Sequence, residues 1–160
     1  MDVKEGDLIQ NRYKVVRVLG KGGQGAVYLI EDLNVYSQRK AIKELLNLSR
    51  MDGEERKTAL EMFTKEGAFL AMLDHPGLPK ISDKFDHDGK CYLVMDFVEG
   101  DNLEKLLRER PGYFTEAKVI EIALALCDIL TYMHSRTPPI VFRDLKPENV
   151  FLTLDGEVKI

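Results

Sequence analysis

Near its C-terminal end the sequence places Asp144, Lys146 and Asn149 within six residues, in "DLKPEN". A carboxylate in such a loop can orient a hydroxyl and take its proton late in an attack on phosphorus. A lysine two residues on can offset the negative charge of a phosphoryl group in transit. A neutral amide oxygen can ligate Mg²⁺ without adding charge, and Pro147 stiffens the turn. The competing reading is a solvated charged loop between two strands.

A second pair of residues bears on the same chemistry. In "KAIK" side chains alternate between faces, so Ala41 and Lys43 share one face and Ile42 takes the other. On the helix predicted downstream, Met62, Phe63, Phe69, Leu70 and Leu73 form an apolar stripe with Glu66 in its middle. A carboxylate there is costly without a partner. Lys43, on a strand that this helix should cover, is the expected one, and the pair would hold a lysine ready for phosphate. Alternatively Glu66 lies at the edge of the stripe, solvated or beside Lys65.

"GKGGQGAV" supplies a third element, with glycines at 20, 22 and 25 in G-x-G-x-x-G spacing. In a dinucleotide fold that motif opens a helix. Here "AVYLI" follows at once and reads as a strand, so the loop can fold over phosphates and offer backbone N–H groups where side chains would clash. An ordinary hairpin turn is the alternative. The other phosphate-binding signature, G-x-x-x-x-G-K-[ST], is absent.

The elements that must position these residues follow from periodicity and turn residues. Strands are predicted at 13–19, at 26–30 and through "RKAIKEL", then at 78–85 and 90–98 around "DHDG". A helix is predicted from Asp52 to Leu73, stopped by "DHPGLP". Asp101, with Glu104 three residues on, has capping-box spacing for a short helix ending at "RPG". Thr115 is the expected N-cap of a helix reaching about His134. "VFLTL" and "EVKI" flank Asp155-Gly156, a strong hairpin signal. The order implies an α+β chain, sheet-rich first and helical second, with a boundary near residue 98.

Composition narrows the function class. The 160 residues are 44% apolar, enough for a core. The net charge of −4 argues against a nucleic-acid binder. No apolar run is long enough to span a bilayer, and the polar start carries no secretory signal. Cys91 and Cys127 lack motif spacing and read as reduced cytosolic thiols, so a cytoplasmic location is expected. No zinc-site spacing is present.

Taken together and in order, "GKGGQGAV", "AIK" and "FRDLKPEN" resemble the glycine-rich loop, third-strand motif and catalytic loop of the eukaryotic-type protein kinase family. Lysine two after the aspartate resembles the serine/threonine branch, and "RYKVVRVLGKGGQGAVYL" resembles bacterial members. The resemblance covers nearly the whole sequence. It implies a sheet-built, nucleotide-binding N-lobe over residues 1–98 and part of a helical C-lobe over 99–160. It also implies that Lys43 contacts the α- and β-phosphates of ATP and pairs with Glu66, while Gly20, Gly22, Gly25 and Val27 cover the nucleotide. Met95 matches the gatekeeper, Asp96 and Val98 the adenine-binding hinge, and Asn102 a ribose contact. Ala41 and Phe151 would sandwich adenine. Asp144 would be the catalytic base, Lys146 would sit by the transferring phosphate, Asn149 would hold Mg²⁺, and Arg143 matches the arginine that pairs with a phosphorylated activation loop.

Two departures stand out. Phe142 occupies the position usually held by histidine, so that histidine's backbone-orienting hydrogen bond is lost. The sequence stops at "VKI", where the family continues into D-F-G. The resemblance therefore implies a kinase domain truncated before its main Mg²⁺ ligand and inactive alone. From Val119 to Leu130 only Glu121 and Asp128 are polar, so that helix is expected to need cover from a larger lobe or from self-association. The implied function is transfer of the ATP γ-phosphoryl group to Ser/Thr hydroxyls of a protein substrate. A catalytically inactive module that binds nucleotide or a partner, and a small-molecule kinase on the same fold, are the alternatives.

Overall fold

The computed structural model describes residues 3–22, 25–47, 52–58, 61, 71–109, 112 and 114–160. The chain divides into two compact units, Met1–Met72 with Lys80–Phe97 and Leu73–Pro79 with Val98–Ile160. Among the described residues no helix is long and apolar enough to cross a membrane.

The first unit is an antiparallel sheet of β1 (Leu8–Ile9), β2 (Tyr13–Gly22), β3 (Gly25–Asp32), β4 (Gln38–Asn47), β5 (Ile81–His87) and β6 (Lys90–Asp96), in the order β1-β2-β3-β4-β6-β5. Alternation sorts its side chains. Tyr13, Val15, Tyr28, Ile30, Ile42, Tyr92 and Val94 form one buried cluster with Ile9 and Ala26. The register slips between Val15 and Arg17 and again between Val18 and Gly20, irregularities that bend β2. The bend lets the sheet curl until its far strands touch. Phe85 of β5 stacks on Tyr13 of β2 at 5.5 Å between ring centroids and on Tyr92 of β6 at 5.3 Å.

Ionic bonds close the same seam. Arg12, just before β2, donates through Nε and Nη2 to the two Asp32 oxygens (2.9 and 2.7 Å) and through Nη1 to Asp83 Oδ2 (3.0 Å). The Tyr13 hydroxyl donates to the same Asp83 oxygen. Helical residues 53–58 (α1) begin behind a reciprocal cap, in which Asp52 Oδ1 accepts the Glu55 N–H at 2.9 Å and Glu55 Oε2 accepts the Asp52 N–H at 3.4 Å. Most of the remaining helix expected before Leu73, Glu66 included, lies outside the described residues.

The second unit holds α2 (Leu103–Glu109), α3 (Glu116–His134), a 3₁₀ turn (Pro147–Asn149) and a sheet ordered β7 (Gly100–Asn102), β8 (Phe151–Thr153), β9 (Val158–Lys159). Thr115 caps α3 as expected, its side chain accepting the Lys118 N–H at 3.2 Å. Gly156, at φ 86°, makes the turn between β8 and β9. The cap of α2 is displaced by one residue from the sequence expectation. Asn102 Oδ1 accepts the Lys105 N–H (2.8 Å), whereas Asp101 pairs with Lys105 Nζ (2.6 Å). Asp101 lies in β7 opposite Leu152, so strand pairing fixes which side chain meets the helix.

On α3, Ile122, Ile129 and Met133 are buried, while Val119, Ile120 and Leu124 are exposed. Ile129 fits against Gly77, where a Cβ would come within 2.3 Å of Ile129 Cδ1. Around this contact the Asp74 N–H donates to the Tyr132 hydroxyl (2.8 Å) and His75 Nε2 meets Asp128 Oδ2 (3.2 Å). Lys159 Nζ donates to the Pro76 carbonyl (2.7 Å) and the Ile160 N–H to the Gly77 carbonyl (3.0 Å).

Gly100 allows β7 to lie close against β8. A Cβ there would stand 2.2 Å from the Leu152 carbonyl oxygen and 2.8 Å from Thr153 Cα, both backbone atoms that cannot swing aside. Gly100→Ala is therefore expected to lower stability by about 1–2 kcal/mol, read from thermal unfolding of the full-length protein.

Candidate active site

In the first unit the glycines sit at the β2–β3 turn, with Gly20 opposite Val27 and Gly22 opposite Gly25. Gly25 has φ 131°, a conformation L side chains rarely adopt. A Cβ on Gly20 would meet nothing within 4 Å, so packing inside the chain does not demand glycine there. Cross-strand register then sets two rows on one sheet face. Val27, Lys43 and Leu93 form one, and Leu29, Ala41 and Met95 the other. Lys43 is half-buried, while Leu29, Ala41 and Leu93 are buried. The strands thus gather Val27, Ala41, Lys43 and Met95 on one surface, a lysine beside an apolar platform. Asp96 ends β6, its carboxylate held by Lys40 Nζ at 2.7 Å and its N–H donating to the Lys80 carbonyl at 3.0 Å. Val98 follows in the second unit, which also contains Asn102 and Phe151.

In the second unit the loop before β8 folds on itself. The Asn149 amide donates through Nδ2 to the Asp144 carbonyl (2.9 Å) and to Asp144 Oδ2 (2.8 Å). Lys146 Nζ stands 3.2 Å from the same carboxylate oxygen. Pro147 opens the 3₁₀ turn that brings Asn149 back, and the Asn149 N–H donates to the Lys146 carbonyl at 2.9 Å. The Asp144 N–H reaches the Phe142 carbonyl (2.8 Å), with Arg143 between them at φ 63°.

The ion pair of this loop adds little to stability, and one of its backbone conformations opposes it. The side chains of Lys146 and Asp144 are 46% and 57% exposed, and ion pairs so exposed contribute about 0–1 kcal/mol. A left-handed arginine costs about 1–3 kcal/mol. Such geometry suits a group held out for chemistry, with the carboxylate aimed by an amide and flanked by a cation.

The donor set bears on a metal. With Nδ2 engaged by Asp144, Asn149 presents Oδ1 as a neutral oxygen donor, the hard ligand type Mg²⁺ takes. Among the described residues no three His, Cys, Asp or Glu side chains gather as metal ligands. The loop therefore fits a contributed ligand, with phosphate oxygens supplying others, and does not fit a self-contained cage.

Several arrangements escape a sequence reading. Arg12 bridges Asp32 and Asp83. Lys90 pairs with Glu44 at 3.0 Å in a nearly buried setting, and the Tyr28 hydroxyl donates to Glu44 at 3.3 Å. Asn102 is engaged at both ends, its Nδ2 donating to the Glu148 carbonyl at 3.1 Å. Capping propensity alone could have pointed to Asn102 as readily as to Asp101.

Comparison with known proteins places these features in a family. The family model for the protein kinase domain matches residues 13–160. The probable serine/threonine-protein kinase YbdM of Bacillus subtilis is 33% identical over 98% of this chain and 58% of its own length. The probable serine/threonine-protein kinase PknB of Lactococcus lactis is 31% identical over 99% of this chain and 24% of its own. Among solved structures, a point mutant of the Mycobacterium tuberculosis PknI kinase domain superposes with TM-score 0.80 at 28% identity, covering 100% of this chain and 62% of that one. The apo form of PpkA-294 shares the fold with TM-score 0.82 at 22% identity, covering 99% of this chain and 60% of that one. The chain thus spans less than two thirds of the length of each. With a family match that takes in both the glycine turn and the Asp144 loop, the chain belongs to the protein kinase domain family, among relatives of the eukaryotic-type serine/threonine branch.

Proposed function

We propose that this chain carries the nucleotide-holding and phosphoryl-transfer residues of a protein kinase that moves the ATP γ-phosphoryl group to Ser/Thr hydroxyls. The observation that carries the reading is the Asp144 carboxylate, aimed by Asn149 and flanked by Lys146 on an exposed loop. Asp144 accepts the hydrogen bond of the incoming hydroxyl, orients it, and takes its proton as the new oxygen–phosphorus bond forms and the bond from the γ-phosphorus to the β–γ bridging oxygen breaks, with ADP leaving. Lys146 offers positive charge to the phosphoryl oxygens. Asn149 Oδ1 would hold Mg²⁺, which when bound neutralises phosphate charge. In the first unit the glycine turn covers the phosphates. Val27, Ala41 and Met95 offer an apolar surface for adenine, and Lys43, paired with Glu66, binds the α- and β-phosphates.

The test is transfer of label from γ-labelled ATP to Ser/Thr peptides by the full-length protein. Lys43→Met is expected to lower kcat/KM by about 10²-fold, the order of effect of removing one preorganised charge that holds the phosphates in place for transfer. Nucleotide binding with no peptide labelling would instead indicate a binding module. Labelling of small molecules but not peptides would overturn the protein-kinase assignment.

A further inference from the structure

Asn102 joins two elements through one short side chain. Its Oδ1 accepts the Lys105 N–H and closes the first turn of α2 (2.8 Å), while its Nδ2 donates to the Glu148 carbonyl in the 3₁₀ turn (3.1 Å). The adjoining Leu103 N–H donates to the Val150 carbonyl at 2.8 Å, and Asn102 faces Phe151 across the β7–β8 pair. The turn is thus held from one side at Glu148 and Val150. The residue between them, Asn149, is the one whose amide aims Asp144. Closing a helix turn requires only an acceptor, and aspartate or serine serves as well. An asparagine amide adds a donor on a separate atom, and here that donor reaches the loop.

We propose that Asn102 is a positioning residue that fixes the Glu148 peptide, and through it the orientation of Asn149 and Asp144. The proposal rests on the roles assigned above to Asp144 and Asn149.

The test is Asn102→Asp in the full-length protein, which keeps the acceptor for Lys105 and removes the donor to Glu148. Expected are a fall in kcat of about tenfold, typical of losing a residue that orients a ligand-bearing side chain, with KM for ATP unchanged within about twofold. In nucleotide-free protein, amide hydrogen exchange should quicken by about fivefold or more at Asn149 and Val150, as loss of one hydrogen bond predicts, while the α2 amides stay protected. A raised KM for ATP with unchanged kcat, together with loss of discrimination against 2′-deoxy-ATP, would make Asn102 a ribose contact and overturn the proposal. So would faster exchange confined to α2, or no change in either measurement. If Asp144→Asn retained full transfer, the kinase reading would fail, yet exchange at Asn149 and Val150 would still decide whether Asn102 holds the turn.

Discussion

Asp144→Asn in the full-length protein is expected to lower peptide phosphorylation by about 10³-fold, within the range general-base groups contribute, while thermal unfolding shifts by no more than about 2 °C. The asymmetry follows from the site. Asp144 is exposed, and its ion pair with Lys146 adds little to folding. An asparagine there still offers an oxygen to the Asn149 amide, so the loop keeps its main internal bond. What disappears is the negative charge that, in the proposed mechanism, would orient and deprotonate the acceptor hydroxyl. A steady-state assay with γ-labelled ATP beside a calorimetric scan separates the two effects. Activity within about tenfold of wild type would show that Asp144 does not act as the base.

Breaking the Arg12–Asp32 pair should carry the largest cost to stability. Asp32 is nearly buried and accepts from Nε and Nη2 of the guanidinium as well as from the Asn34 N–H at 3.1 Å. Removing one partner of a fully buried pair costs about 3–5 kcal/mol, and the partial exposure of Arg12 lowers this to about 2–3 kcal/mol for Asp32→Ala. Urea or thermal unfolding reads the change. The pair also gives a pH signature of definite sign. The hydrogen bond from Arg12, helped by the Asn34 N–H and opposed by burial, holds the Asp32 carboxyl below its ordinary range. Its folded pKa therefore lies below its unfolded one. The contribution is complete above an unfolded value of about 4 and disappears as pH falls through the folded value. The stability gap between wild type and Asp32→Ala should stay constant from pH 7 to about 5 and narrow below about 4. A gap that widened on acidification would contradict this assignment.

How much of this was legible beforehand depends on the range of each interaction. The Asp144 loop was legible because its bonds are local. Asn149 returns to Asp144 five residues away, and Pro147 makes the turn between them. Thr115 and the Asp155-Gly156 turn were legible for the same reason. The rows Val27–Lys43–Leu93 and Leu29–Ala41–Met95 were half-legible, since alternation gives each strand's faces but not which strands adjoin. Arg12 was opaque. Its partners lie 20 and 71 residues away: Asp32 comes beside it through the β2–β3 pairing, where Tyr13 faces Asp32, and Asp83 only through the curl of the sheet. The cap of α2 was misread because two adjacent residues could both cap, and pairing of β7 with a strand about fifty residues downstream made the choice. Glu66 falls outside the described residues, so its pairing with Lys43 stands as proposed.

The short stretch Leu73–Pro79 has a practical consequence. The polypeptide leaves the first unit after Met72, returns at Lys80 and leaves again after Phe97. A dissection at residue 98 would carry off seven residues whose companions, Asp128, Ile129, Tyr132 and Lys159, all stay behind. The excised piece would bear a dangling segment, and the remainder an uncovered Ile129. The two units are interleaved along the backbone, and expressing either by itself calls for a redesigned bridge between Met72 and Lys80.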